Sequence, residues 1–221
     1  MDSISEILVK HFRWRLVSAA FLSGLGPFAF ASAAQYAAVA PLGTESLLWS
    51  EVFVVGFLML LAVFVVPLSF ALVFFKRSRV VALYGLTCGL AFLVGLFGGW
   101  NVGSQIRMSA FLRLAERSGP LIAAIKAYEK DEGYPPQNLE LLVPKYLPHV
   151  PSTGMGAYPK YEYVVNAVAG KFDDNPWVLY VFTPSGGINF DQFLYFPLQN
   201  YPKEGYGGSL ERIGDWAYVH E

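Results

Sequence analysis

Cysteine, histidine and charge are all scarce in this chain, and each shortage removes a class of protein. Cys88 is the only cysteine in 221 residues, which excludes an internal disulfide framework and any cysteine-rich metal site. Charged residues make up 15% of the chain and nearly cancel, at a net −1. No clustered Lys/Arg footprint is present, so nucleic acid is excluded as a partner. The histidines show no zinc-ligand spacing such as His-x-x-x-His. What is abundant is apolar: 54% of the residues are hydrophobic, against about 45–50% in ordinary soluble domains. The excess is concentrated in the first 100 residues.

Three stretches there carry no Asp, Glu, Lys or Arg: Leu16 to Thr44, Val52 to Phe75, and Val80 to Trp100. A bilayer core about 30 Å thick takes roughly 20 apolar residues of helix, and only a helix satisfies its own backbone in lipid. The expectation is three transmembrane helices, at about 16–40, 52–75 and 80–100. Lys10, His11, Arg13 and Arg15 precede the first, and Lys76, Arg77 and Arg79 separate the second from the third. Glu45 and Glu51 lie between the first and second. The positive-inside bias then puts the N-terminus and the 76–79 turn in the cytoplasm. Residues beyond the third span fall outside, in a multi-pass protein of the cell inner (cytoplasmic) membrane. Trp14, Trp49 and Trp100 fall at the expected interfaces, where amphipathic rings settle.

Ala31-Ser32-Ala33 after a basic and apolar stretch also fits a secretory cleavage site. Apolar character continuing through Tyr36, Val39 and Ala40 favours retention as a span. Gly85 and Gly89, and again Gly95 and Gly99, are four apart, a spacing that lets helix backbones approach closely. Pro27 and Pro67 are expected to kink their helices. Without intramembrane charge or histidine to form a transport path, the helices read as an anchor (residues 1–103).

From Asn101 onward the composition is ordinary. Ten basic residues face thirteen acidic ones, a net of −3, with 19 aromatics, enough for a core in a segment of domain size. Residues 104–117 read as an amphipathic stalk helix, with Ile106, Ala110 and Leu114 on its apolar face and Arg107, Arg113 and Arg117 turned elsewhere. Those arginines fit either lipid phosphates or a solvated helix face. Ser118-Gly119-Pro120 is expected to punctuate this helix. A second helix then carries Leu121, Ile125 and Tyr128 on one face and ends at Gly133. A short helix follows over Leu139 to Val143. Past Pro151 the period becomes two. Strands are expected around Tyr161 to Val165, Trp177 to Thr183, Ile188 to Phe196 and Asp215 to His220, with a hairpin at Gly186-Gly187. Residues 118–221 thus form an extracytoplasmic α+β domain, a helix packed on an antiparallel sheet.

The run from Ile125 through Tyr128 and Asp131 to Gly133-Tyr134-Pro135 is followed by Leu139 to Val143, Pro144, Tyr146, Leu147, Pro148 and Pro151. This pattern resembles the globular domain of type II secretion major pseudopilins, over about 118–221. The resemblance implies a membrane helix continuing into a packed helix, a Gly-Tyr-Pro turn, a leucine-bearing segment with a proline turn, and an antiparallel sheet. The fold class is therefore membrane-anchored α+β: three N-terminal transmembrane helices, then a small pseudopilin-like domain. No prepilin leader constellation precedes Leu16, and a pilin has one span rather than three, so filament assembly is not carried over. The resemblance also implies calcium held by acids in sheet loops, for which Asp173, Asp174 and Asp191 are the candidates. Calcium takes six to eight oxygens, and Asp173-Asp174 lacks the alternation of a dedicated loop; solvated turn acids are the plainer reading. No metal or cofactor is expected.

Chemistry is otherwise sparse. Ser185 lacks the Gly-x-Ser-x-Gly frame of a nucleophile elbow, His149 and His220 have no partner in sequence, and Gly205-Tyr206-Gly207-Gly208 lacks the Lys-Ser/Thr of a phosphate loop. No enzyme is expected. Tyr195, Tyr201, Tyr206, Trp216 and Tyr218 are the candidate binding residues, for a protein or for a sugar, unless they pair across strands in the core. The leading expectation is protein–protein interaction or self-association at the cell envelope. The alternative is a glycan- or ligand-binding domain using these C-terminal aromatics.

Overall fold

The computed structural model describes residues 4–186 and 189–220. Three helices come first: α1 (Ile4–Val39), α2 (Ser46–Leu72) and α3 (Arg79–Glu132). All three are long and apolar enough to cross a membrane, α1 from Phe12 onward. The chain divides into two compact units, Met1–Gln35 with Trp49–Ile106, and Tyr36–Leu48 with Arg107–Glu221.

In the first unit, small residues set the helix contacts. A Cβ on Gly95 would lie 1.9 Å from the Gly24 carbonyl oxygen, and one on Gly99 would lie 2.6 Å from that of Phe28. Ser32 Oγ donates to the Gly99 carbonyl and Ser23 Oγ to that of Cys88. Gly85 meets Ser69 and Val65, and Gly89 meets Val66. One glycine pair therefore serves the α1–α3 contact and the other serves α2–α3. Small residues at these positions let the helix backbones approach closely. Ala31, Val55 and Leu96 form the buried centre. Trp100 Nε1 donates to Glu51 Oε1 at 2.7 Å. Pro27 and Pro67 lie inside unbroken helices.

The second unit begins with the link after α1 and continues with the last part of α3. The expected break at Ser118–Pro120 does not occur: α3 is one helix of 54 residues with Pro120 inside it. An interior proline removes one backbone bond, here to the Glu116 carbonyl, at a cost near 3 kcal/mol. Glu116, Gly119 and Pro120 are exposed, so water can reach that carbonyl. The opposite face buries Phe111, Leu114, Leu121 and Ile125 completely, which offsets the loss. Gly133 ends the helix as expected, at φ +81°, with its N–H bonded to Glu129 O. A 3-10 turn at Leu139–Leu142 follows, capped by Asn138.

The remaining elements are β1 (Glu162–Val165), α4 (Asn166–Ala169), β2 (Trp177–Phe182), β3 (Gln192–Tyr195), β4 (Glu204–Gly205), β5 (Gly208–Ile213) and β6 (Trp216–His220). They make one antiparallel sheet of six strands, in the order β1-β2-β3-β6-β5-β4. Two more strands form than the sequence led one to expect. β4 and β5 turn back on each other through Tyr206 and Gly207, both at positive φ, the signature of a tight hairpin. Gly208–Ile213 is thus a strand that the sequence reading did not anticipate. β2 and β3 pair as expected, but Gly187 and Ile188 lie outside the described residues.

The sheet is buried on both faces. Phe193, Tyr195, Trp177, Trp216 and Tyr218 face α3: Phe111 stacks on Phe193 at 4.9 Å, and Trp216 Nε1 donates to Ser118 Oγ. Val178, Leu194, Phe196 and Val219 face the other way, covered by Ala169, Phe172, Tyr201 and Tyr206. That second cover comes from α4 and the stretch between β3 and β5.

Candidate functional site

Residues of α3 at 103, 107, 110, 111, 114, 118, 121, 124 and 125 are all buried, a 3.6-residue stripe. Arg107 is on this stripe, only 3% exposed, and not on the solvent side expected for it. Its Nη2 donates to the Thr183 carbonyl at 2.6 Å and to Tyr218 Oη at 3.3 Å, and its Nη1 to Tyr158 Oη at 3.4 Å. The guanidinium also lies over the Phe111 ring, 5.3 Å from its centroid. Tyr218 Oη in turn donates to the buried Asp191 carboxylate, and Tyr158 Oη to the Pro184 carbonyl. Burial pushes both tyrosines above their ordinary pKa, so each remains a donor. Arg107 and Asp191 are thus opposite charges joined through one hydroxyl, each satisfied in a low dielectric. Chemically this is a latch: it fastens the chain after β2, and β6, to the helix.

The five C-terminal aromatics are not gathered at the surface. Tyr195, Trp216 and Tyr218 are buried under α3, with Trp216 stacked on Phe193 at 4.8 Å. Tyr201 stacks on Phe196, donates to the Asp215 carbonyl and lies beneath Arg212. Tyr206 stacks on Phe172 and donates to Asp173. Aromatic pairing across and over strands accounts for all five, because a two-faced sheet needs large side chains on both sides.

The three calcium candidates are also separated. Asp173 and Asp174 precede β2 while Asp191 lies beyond its far end, beside Thr183. A six-residue strand spans about 20 Å, so one ion cannot bridge them. No group of three metal-ligating side chains occurs among the described residues. Ser185 is held by Asn189, His149 is exposed, and His220 pairs with Glu211 at 2.8 Å.

Exposed aromatic residues lie elsewhere: Phe182 pairs with Phe190, and a tyrosine cluster forms at the end of α3. Where α3 ends, Tyr128 packs against Tyr134 and Tyr146, at centroid distances of 6.2 and 5.6 Å. Tyr146 Oη donates to Asp131, which Lys145 also approaches to 3.2 Å. These two donors hold the Asp131 carboxyl below its usual range. Tyr134 is 52% exposed, and the following 3-10 segment shows Leu141 and Val143 at 46% and 37%. Local chemistry explains the arrangement: Gly133 turns the chain back, Pro135-Pro136 keep it extended, and Leu139 and Leu142 point inward as anchors.

Sequence reasoning missed Arg107 and this surface. Arg107 was findable, since it is in phase with Phe111, Leu114 and Ser118. The Tyr128–Tyr134–Tyr146 cluster joins residues 18 apart in the chain and has no periodic signal. No family model matches the chain, and neither does a curated protein or a solved structure.

Proposed function

We propose that this chain is a non-enzymatic, multi-pass protein of the inner membrane that displays a small pseudopilin-like domain outside the cytoplasm. There it serves protein–protein interaction or assembly in the cell envelope. The carrying observation is the exposed Tyr134, packed with Tyr146 around Tyr128, together with the exposed Leu141 and Val143 of the segment that follows. Tyrosines with buried neighbours and little conformational freedom are the usual anchors of such contacts. The continuous α3, the Gly133-Tyr134-Pro135 turn, the leucine segment and the antiparallel sheet all favour the pseudopilin likeness. The basic residues at 10–15, in the first turns of α1, and those at 76–79 favour an extracytoplasmic second unit. Burial of Tyr195, Trp216 and Tyr218 takes support from a glycan platform built on them. A photoreactive side chain at Leu141, activated in the native membrane, tests this reading. A crosslinked protein, whether a second copy or another envelope protein, is the expected product; recovery of lipid alone would overturn it.

A further inference from the structure

Arg113 and Arg117 lie one turn apart on α3 and line a cavity of about 130 Å³ together with Tyr36, Val39, Pro41 and Gly154. All of these belong to the second unit. Among the described residues, neither arginine has a carboxylate within ion-pair distance; the ion pairs formed are those of Lys145 and His220. Several nearby backbone carbonyls already accept a backbone N–H. The Tyr36 carbonyl takes the Ala40 N–H, that of Ala37 takes Thr44, and that of Ala40 takes both Gly43 and Gly156.

One of the two is fixed. Arg117 Nη2 donates to the Thr153 carbonyl at 2.8 Å, and its guanidinium lies over Gly154. A Cβ there would come within 2.8 Å of Arg117 Cζ, and the residue sits at φ +76°, so position 154 keeps the fork in place by being glycine. Arg113, one turn earlier, reaches the same space. Tyr36, Val39 and Pro41 line the same cavity, and both arginines are exposed, so a charged group can reach them from solvent. The volume suits a group of a few heavy atoms and is far too small for a nucleotide.

We propose that this cavity binds the phosphate group of a ligand, with Arg117 as the fixed fork and Arg113 as the adjustable one. Guanidinium matches phosphate oxygens two at a time. The phosphate belongs either to a phospholipid headgroup or to a small soluble phosphate; the chemistry at the two arginines is the same.

The test uses the full chain, delipidated in a phosphate-free detergent, with inorganic phosphate followed by calorimetry and phosphatidylglycerol followed by native mass spectrometry. Binding in at least one arm is expected, weakened about tenfold or more in Arg113→Gln. Arg113→Lys, which keeps charge without the fork, should fall between. Phosphate alone marks a soluble source, lipid alone a headgroup, and both arms the shared chemistry. In the unaltered chain, whichever probe binds should also shield the two arginines from a dicarbonyl reagent, a readout independent of any variant's folding. Absence of binding in both arms, binding indifferent to Arg113→Gln, or no shielding would overturn the proposal.

Discussion

Arg107 ties separate stretches of the second unit to α3. Its partners come from three separate stretches, at Tyr158, Thr183 and Tyr218. Removing one member of a buried charged network leaves the others unpaired, which costs about 3–5 kcal/mol. Arg107→Met should lower unfolding stability by that order in chemical denaturation. Arg107→Lys should recover little of it, because one ammonium cannot reach all three acceptors. Two buried hydroxyls work in the opposite direction. Tyr161 and Tyr163 have no hydrogen-bond partner for their oxygens, and an unmade buried bond costs about 1–3 kcal/mol. Tyr161→Phe and Tyr163→Phe should therefore leave stability unchanged or raise it by about 1 kcal/mol in the same experiment. Burial pushes the Tyr161 pKa up to about 12 and raises those of Tyr163, Tyr201 and Tyr218 as well. A folded pKa above the unfolded value of about 10 means the native state holds its phenolic proton more tightly. That stability is fully present below pH 10 and is lost as pH rises toward and past 12. Tyrosinate absorbance and the folded signal should change together across that alkaline window.

At the scale of the element, close approach between helices makes glycine substitutions divide sharply. Gly95→Ala and Gly99→Ala drive a methyl into the backbone of α1, and overpacking of this kind typically costs 1–3 kcal/mol. Gly26→Ala and Gly56→Ala meet nothing within 4 Å and should be neutral or slightly stabilising. Thermal melts in detergent that failed to separate the two pairs would contradict the described packing. These same contacts show what was readable in the sequence. The four-residue glycine spacing marked the right positions in α3, and three uncharged runs marked the helices. Gly133 marked the end of α3, because only glycine takes φ +81° there without strain. Pro120 misled, because its penalty is local and paid on the exposed face, whereas the burial that outweighs it is spread over Phe111, Leu114, Leu121 and Ile125. Strands β4 and β5 escaped for another reason. β4 is two residues long and β5 is only partly buried, so the local hairpins that pair β4 with β5 and β5 with β6 carry little apolar alternation to read.

At the scale of the whole molecule, the scarcity of charge belongs to the first 100 residues, whereas aromatic residues are spread over the whole chain. The apolar excess lies in helices able to cross a membrane, and many aromatic residues of the second unit pack on both faces of a six-stranded sheet. The surface at Tyr134 could not be seen from composition, since every aromatic looked equally available until the sheet buried most of them. Arg107 was hidden because charge alone suggests solvent, and only its phase on α3 places it inside. The proposed account rests on an outer unit carried across the membrane by three crossings, and one measurement bears on that directly. Reporter fusions placed after residue 78 and at the C-terminus should report opposite sides, the first cytoplasmic and the second outside. Two reporters on the same side would contradict the three-span arrangement and the extracytoplasmic display that follows from it.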